Sequence, residues 1–191
     1  MKILVTGGSG FIGTRLVGEL LKASHQVTIF DKNESPKCPE LVVIGIVCDK
    51  DALTKTATGH DVIYHLVAEH ADDVRPISLY HDVNVGGAKN LIFAADNAGI
   101  KKIIFTSSVA VYPLNADEPD EDSQVAPFNE YGKSKYAAEQ VLTEWASEAV
   151  SRSLTIVRPC VIFGEDIRGQ HLQSAITGLQ KEIYHGRFRP E

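Results

Sequence analysis

Apolar residues along the chain form short runs that alternate with stretches of helical spacing. The runs predict strands at residues 2–6, 26–30, 41–47, 61–66, 103–106 and 154–158. The stretches between them predict helices at residues 11–23, 52–58, 78–98, 131–147 and 172–184. Gly99 follows the third helix, at the usual place for a glycine C-cap. Proline and acidic residues are frequent in residues 114–129, so we expect a solvated loop there.

The composition of the strands indicates the fold class. They are almost entirely apolar, which is typical of strands that are buried on both faces of a parallel sheet. Helices between successive strands supply the crossovers, and right-handed crossovers build a doubly wound α/β sheet of the Rossmann type. Such sheets bind ligands at the carboxyl ends of their strands, so we expect the chemistry at that edge.

Overall composition is that of a globular domain, with 191 residues, 43% of them hydrophobic and 23% charged. A net charge of −6 argues against a nucleic-acid-binding surface, which would need a basic face. No apolar run is long enough to span a bilayer, and the chain start lacks the apolar core of a signal peptide. Because the three cysteines are scattered, we expect no metal site, no disulfide and a cytoplasmic, reducing setting.

A glycine-rich turn joins the first predicted strand to the first predicted helix. Gly7, Gly10 and Gly13 allow a tight turn, a close approach of backbone to phosphate, and close packing of helix on strand. Phe11 and Ile12 open the helix, whose free N–H groups favour an anion. Because strand, turn and helix form one βαβ unit of about 30 residues, the sequence predicts a dinucleotide pyrophosphate site.

An aspartate follows the second predicted strand. Asp31 lies about 20 residues beyond the glycine turn, where a carboxylate holds the ribose hydroxyls of a dinucleotide. Its charge repels a 2′-phosphate and so favours NAD over NADP, although the neighbouring Lys32 weakens this preference. Asp49 follows the third strand, and two interpretations stay open: a contact with adenine, or an N-cap for the next helix.

Tyr131 and Lys135 lie four residues apart in a predicted helix and therefore share one face. A nearby ammonium lowers the pKa of a tyrosine, which would let Tyr131 exchange a proton with a carbinol oxygen at neutral pH. Lys135 can also bind ribose hydroxyls, whereas two solvent-facing helix residues are the alternative. Ser108 favours the chemical interpretation, because it follows the fifth strand at the edge where a cofactor would lie.

Together these motifs resemble those of the extended short-chain dehydrogenase/reductase enzymes of the NAD-dependent epimerase/dehydratase type. The resemblance extends along nearly the whole chain and includes residues 65–68, 83–91, 107–112 and 158–159. It implies a catalytic set of Ser108, Tyr131 and Lys135. It implies NAD as cofactor, held by Gly7, Gly10, Phe11, Ile12, Gly13, Asp31, Lys32, Asp49, Leu66, Ala68, Asn84, Tyr131 and Lys135.

The function that this resemblance implies is an NAD-dependent nucleotide-sugar epimerase that uses transient hydride transfer. A dehydrogenase or reductase of the same family, acting on a sugar nucleotide or another alcohol, is one alternative. A non-catalytic dinucleotide-binding module is another. Val109 and Ala110 stand where the family's dehydratases carry Asp-Glu, so water elimination is not expected.

In this family the Rossmann domain is followed by a smaller substrate-binding lobe. The resemblance therefore implies an NAD-binding domain in residues 1–165 and the start of the substrate lobe in residues 166–191, with most of that lobe absent. Family members also pair through the helices that correspond to residues 78–98 and 131–147, which implies a homodimer.

Several further residues have a structural interpretation beside a functional one. His65 lies on a buried strand, where packing is favoured over catalysis. Glu69 and His70 are assigned to a solvated loop rather than to the nicotinamide, and Trp145 is assigned to core packing. For Arg158 a substrate phosphate and a carboxylate partner both stay open.

Overall fold

The computed structural model describes residues 1–71, 74–114, 116, 118–160, 162 and 164 of the chain. Its strands are β1 (Lys2–Thr6), β2 (Gln26–Asp31), β3 (Val42–Ile44), β4 (Val62–His65), β5 (Lys102–Thr106) and β6 (Ser153–Val157). Its helices are α1 (Phe11–Lys22), α2 (Lys50–Ala57), α3 (Ser78–Tyr80), α4 (Gly87–Ala98) and α5 (Glu130–Ser147). A π-helical segment at His81–Gly86 joins α3 to α4, and 3-10 turns lie at Pro39–Leu41 and Val109–Val111.

The six strands form one sheet in the order β3-β2-β1-β4-β5-β6, and every neighbouring pair is parallel. Successive residues of β1 point to opposite faces of this sheet. Ile3 packs with Val17 of α1, whereas Leu4 belongs to a separate core cluster with Leu91 of α4 and Leu142 of α5. Both faces are therefore covered by helices, and the predicted doubly wound fold of the Rossmann type is confirmed.

Most elements match their predicted bounds to within two residues at either end, but the third strand does not. The third strand spans Val42–Ile44 instead of residues 41–47. Gly45 still donates to the Asp31 carbonyl at 2.9 Å, but a side chain at Gly45 would stand 2.5 Å from the Phe30 ring. The backbone passes closely over that ring and leaves the sheet, although the apolar run continues.

Residues 78–98 form a continuous helical stretch, as predicted, but its middle widens into the π-helical segment. Gly99 ends the stretch with φ 72°, so the predicted C-cap is confirmed. The π-helical segment buries Asn84, which is 1% exposed. Such segments are often found at functional sites, and a helical apolar pattern does not reveal them.

Other predictions fall on segments that the structure describes in part. The described residues between 112 and 128 contain no helix or strand, as expected for a solvated loop. Residues Met1–Arg158 form one compact unit. The predicted helix at residues 172–184 and the predicted domain boundary after residue 165 lie outside the described residues.

The strand order brings the predicted site residues to one edge. From β1 the chain proceeds to β2 and β3 on one side, and later to β4, β5 and β6 on the other, so the order reverses between β1 and β4. Thr6, Asp31, His65 and Thr106 are the last residues of their parallel strands and therefore lie along the same edge. In doubly wound sheets the ligand binds at this reversal.

Candidate active site

The turn after β1 forms a backbone cradle. Gly7 has a positive φ of 77°, and a Cβ there would stand 2.9 Å from the Val67 nitrogen. A Cβ on Gly13 would stand 2.3 Å from the Gly7 carbonyl oxygen, so α1 packs directly on the turn. A larger residue at Gly13 would push α1 away from the turn, and one at Gly7 would clash with the backbone that follows β4.

The N-terminus of α1 opens towards this cradle. Gly10 is the N-cap residue and makes no side-chain capping hydrogen bond. Phe11 and Ile12 form the first turn and are half-buried, and the Arg15 guanidinium lies 3.8 Å above the Phe11 ring. Since the first N–H groups of a helix have no partner within it, this end suits a phosphate anion.

Asp31 ends β2 beside the cradle and is 8% exposed. Its carboxylate accepts hydrogen bonds from the Ser9 N–H and the Asn33 N–H, each at 3.0 Å. A carboxylate has about four acceptor positions, so capacity for ribose hydroxyls remains. Lys32 is exposed beside it. The cradle and the fixed carboxylate together fit a dinucleotide.

Asp49 is exposed and caps α2, because its Oδ1 accepts from the Ala52 N–H at 3.0 Å. Of the two interpretations left open by the sequence, the N-cap is the one observed. The Asn90 amide donates to the Val47 carbonyl at 2.9 Å and so fixes the preceding loop on α4. A contact between Asp49 and adenine stays a prediction.

Asn84 connects the loop after β4 to α5. Its Oδ1 accepts from the Glu69 N–H at 2.8 Å, and its Nδ2 donates to the Glu69 carbonyl at 3.1 Å and to the Ser134 hydroxyl at 2.8 Å. The Asn84 amide is thus bonded within the protein, and its contact with the cofactor stays a prediction. Leu66 and Ala68, the other predicted contacts near this loop, are half-buried.

His65 is a packing residue, as the sequence indicated. It is buried, its ring stacks on Phe105 with centroids 5.6 Å apart, and its Nδ1 lies 2.6 Å from the Thr6 hydroxyl. Its Nε2 has no hydrogen-bond partner among the described residues. Burial, aided by Lys135, lowers the pKa of His65 to about 3. His70 is exposed, in agreement with a solvated loop.

Ser108 and the N-terminus of α5 are held together by backbone packing. Ser108 opens the 3-10 turn after β5, and its Oγ accepts from the Ala110 N–H at 3.1 Å. A Cβ on Gly132 would stand 2.1 Å from the Ala110 carbonyl oxygen, so α5 begins directly against this turn. Asn129 caps α5 by accepting from the Gly132 N–H at 2.7 Å. These contacts bring Tyr131 beside Ser108.

Tyr131 has a pKa shifted opposite to the sequence expectation. Burial raises the pKa of Tyr131, and a hydrogen bond with Ser108 offsets part of this shift. The Tyr80 ring lies near the Tyr131 ring, with centroids 6.4 Å apart. The expected lowering by Lys135 is wrong for this structure, because the Lys135 ammonium lies over the Phe105 ring in the core.

Lys135 is 1% exposed, and its Nζ lies 4.2 Å from the centroid of the Phe105 ring. Burial lowers the pKa of Lys135 to about 7, against the opposing charge of Glu139. The expected solvent-facing alternative is therefore excluded for this residue. A lysine that titrates near neutral pH can hold or release a proton, and such shifted groups are frequent in active sites.

Arg158 binds a carboxylate, so one of its two open interpretations is confirmed. Its Nε and Nη2 donate to the two carboxylate oxygens of Glu139 at 3.0 and 2.7 Å. Its Nη1 donates to the Tyr112 hydroxyl at 2.7 Å, and that hydroxyl donates to the Asp120 carbonyl at 2.7 Å. The guanidinium thus joins β6, α5 and the loop that follows β5.

Three polar residues of this region were missed in the sequence. Asn129 carries a signal, because an asparagine before a predicted helix is a preferred N-cap. Glu139 also carries one, since it follows Lys135 by four residues and must share its helix face. Ser134 lies between them without a pattern of its own, and only the fold brings it to Asn84.

The remaining predictions concern packing and ligands. Trp145 is buried and its Nε1 donates to Asp96 at 2.9 Å, so core packing is confirmed. Within the described part of the chain, no group of three or more His, Cys, Asp or Glu residues could hold a metal ion. No helix in that part is long and apolar enough to cross a membrane.

The cradle, Asp31 and the Ser108–Tyr131 contact at one sheet edge define a dinucleotide-binding protein of the Rossmann class. The model of the NAD dependent epimerase/dehydratase family matches residues 3–190. The chain belongs to this family, and NAD is its cofactor.

Individual relatives agree with that assignment. The chain is 50% identical over 187 residues to N-acetyl-alpha-D-glucosaminyl-diphospho-ditrans,octacis-undecaprenol 4-epimerase of Escherichia coli O157:H7, covering 97% of this chain and 55% of the relative. It is 33% identical over 178 residues to 3 beta-hydroxysteroid dehydrogenase/Delta 5→4-isomerase of Mycobacterium tuberculosis, covering 85% of this chain and 47% of the relative. The chain spans about half the length of these curated relatives.

A solved structure is also similar. UDP-glucose 4-epimerase from Stenotrophomonas maltophila, with bound NAD and formylated UDP-arabinopyranose, superposes with a TM-score of 0.76 at 26% identity. The match covers 83% of this chain and 52% of that chain. The similarity supports the Rossmann fold and the family assignment.

Proposed function

We propose that the protein is an NAD-dependent sugar 4-epimerase whose proton-transfer group is Tyr131. One observation carries the proposal: the start of α5 lies against the turn after β5, which brings Tyr131 to Ser108 at the edge that also holds the glycine cradle. The relative that is 50% identical is named as a 4-epimerase, which supports the same reaction here.

Each part of the site has a role in this proposal. The cradle around Gly7 and Gly13 would hold the pyrophosphate, and Asp31 would hold the adenine-side ribose. When bound, NAD supplies reversible acceptance of a hydride from a sugar carbinol. Ser108 would orient the sugar hydroxyl, and Tyr131 would take its proton and later return it.

Lys135 completes the proposed set. Tyr131 keeps its proton at neutral pH in this structure, because burial raises its pKa. Removal of that proton therefore needs a nearby positive charge when the site is filled. Lys135 lies on the same face of α5, one helical turn away, and in this proposal its ammonium supplies the charge after turning from the Phe105 ring towards Tyr131.

The proposed substrate is a hexose joined to a diphosphate. The 50% identical relative is named for an N-acetylglucosaminyl diphosphate on a polyprenol, and the superposed epimerase is named for UDP-glucose. Both kinds of substrate have a hexose joined to a diphosphate, and they differ in the carrier. A nucleotide sugar and a polyprenyl diphosphate sugar are therefore the two carriers to compare.

The test is product analysis with both carriers. The purified protein is incubated with NAD and either UDP-N-acetylglucosamine, UDP-glucose or undecaprenyl-diphospho-N-acetylglucosamine. NMR follows the configuration at C4, and absorbance follows NADH. Formation of the 4-epimer without accumulation of NADH supports the proposal. Accumulation of NADH in step with product favours the dehydrogenase alternative, and NAD binding without reaction favours a binding module.

A homodimer is part of this proposal. Phe93 of α4 is 43% exposed, and the Lys50 ammonium lies 4.2 Å from the centroid of its ring. An exposed aromatic ring on one of the two expected pairing helices is consistent with an isologous contact. Sedimentation velocity of the wild type and of Phe93→Glu tests it, since the variant should sediment as a monomer.

A further inference from the structure

Lys135 is a buried cation whose lost hydration is replaced in part by the face of an aromatic ring, which attracts a cation. Its ammonium lies over the Phe105 ring, and the His65 ring stacks on that same phenylalanine. His65 is neutral near pH 7, because its pKa is lowered to about 3. Among the described residues, no carboxylate forms a direct ion pair with Lys135. A buried ammonium in such a place loses its proton unless a fixed negative charge lies nearby.

Glu139 is that negative charge. It lies four residues after Lys135 on α5, so the two side chains share one helix face. The residue is 3% exposed, which leaves its carboxylate little screening by water. Of the charged groups around Lys135, Glu139 acts to raise the pKa of the ammonium, against the effect of burial.

The orientation of Glu139 is fixed by Arg158. Both carboxylate oxygens accept hydrogen bonds from the guanidinium, at 3.0 and 2.7 Å, which is the two-pronged geometry that holds a carboxylate in one direction. Tyr112 supports the guanidinium from the other side at 2.7 Å. The carboxylate therefore acts on Lys135 through space, and the N–H donors of Lys135 remain for a ligand.

We propose that Glu139 is a positioning residue of the proton-transfer set: clamped by Arg158, its carboxylate favours the charged form of the buried Lys135 side chain, one helical turn from Tyr131. The inference rests on the proposed function, because the charge of Lys135 assists a reaction only if Tyr131 transfers a proton. Its test is read without substrate, so that failure of the epimerase proposal and failure of this inference give different results.

The experiment follows the protonation of Lys135 directly. Protein labelled with ¹³C at lysine Cε is titrated by NMR without NAD, and the Lys135 signal is assigned with Lys135→Met. In Glu139→Gln the midpoint of the Lys135 titration falls below that of the wild type. Glu144→Gln makes the same chemical change at an exposed position of α5 and leaves the midpoint unchanged.

Two further variants separate charge from shape. Glu139→Asp keeps the charge and loses a methylene, so its Lys135 midpoint stays closer to the wild type than that of Glu139→Gln. In Arg158→Gln the Glu139 carboxylate is released and can pair directly with Lys135, so the midpoint of the Lys135 titration rises above that of the wild type. This variant provides the test if Glu139→Gln does not fold.

The inference is overturned if Glu139→Gln and Glu139→Asp shift the midpoint equally, or if Glu139→Gln leaves it unchanged. An unchanged midpoint in Arg158→Gln also contradicts it. A protein that shows the expected titrations but no epimerase activity would contradict the proposed function and leave the role of Glu139 intact.

Discussion

The side-chain amide of Asn84 donates a hydrogen bond to the Ser134 hydroxyl at 2.8 Å, although the two residues are 50 positions apart in the sequence. The Ser134 hydroxyl in turn donates to the Tyr131 carbonyl at 2.7 Å. Asn84 also holds the backbone of Glu69 through two hydrogen bonds. One buried amide thus fixes the loop after β4 and the first turn of α5, from which Tyr131 extends.

Replacement of Asn84 by alanine should destabilise the protein, because it leaves buried groups of Glu69 and Ser134 without their partner. We expect the free energy of unfolding to fall by about 1–3 kcal/mol, as measured by urea denaturation. Asn97→Ala is the matched control, since Asn97 is exposed on α4 and its amide bonds only the Phe93 carbonyl there. Equal losses in the two variants would contradict the assigned role of Asn84.

Lys135 should make stability depend on pH. Its pKa is about 7 in the folded protein and near 10.5 when the group is freely solvated. Between these values the unfolded chain binds more protons, so the free energy of unfolding should rise with pH across this interval. Lys135→Met should remove that rise and should be more stable at pH 7, by on the order of a few kcal/mol.

Urea denaturation at several pH values measures this dependence. Lys133→Met is the control, because Lys133 is exposed and pairs with Glu130 at the surface. The control should keep the wild-type dependence on pH. A rise that persists in Lys135→Met would show that another group is responsible.

Asp31 should set the preference between the two dinucleotides. Its carboxylate is fixed by the Ser9 and Asn33 N–H groups, so it cannot turn away from a 2′-phosphate. Calorimetric titration should show tighter binding of NAD than of NADP. Asp31→Asn should reduce the ratio of the two affinities, because the charge that repels the 2′-phosphate is removed. Asp49→Asn, at an exposed helix cap, should leave the ratio as it is. Equal affinities of the wild type for NAD and NADP would refute the assignment.

Much of the fold follows from the sequence because each strand carries its own apolar run. β1 matches its predicted bounds, and α5 begins one residue before its predicted start. The third strand does not match, because Val47 is buried by packing in the hydrophobic core and not by pairing in the sheet. An apolar run reports burial and does not distinguish these two causes.

The site could be predicted only as far as residue spacing determines it. The spacing places Tyr131 and Lys135 on one face of α5, but it does not report that Lys135 lies over Phe105 in the core. The direction of the Tyr131 pKa shift depends on that position. The prediction that Lys135 lowers this pKa was therefore wrong, because burial raises it. The partner of Arg158 was likewise open, since Glu139 lies on a different element and meets it only in the folded chain.

The central claim is that the Tyr131 hydroxyl transfers the proton of the reacting sugar hydroxyl. Tyr131→Phe keeps the ring and removes this group, and Tyr136→Phe makes the same change five residues later on the same helix. The most direct measurement is the rate of C4 epimerisation of the accepted diphosphate sugar, with NAD affinity measured in parallel. We predict that Tyr131→Phe lowers the rate by roughly 10²-fold or more with nearly unchanged NAD affinity, while Tyr136→Phe stays near the wild type. A Tyr131→Phe protein that keeps a rate comparable with that of Tyr136→Phe would contradict the claim.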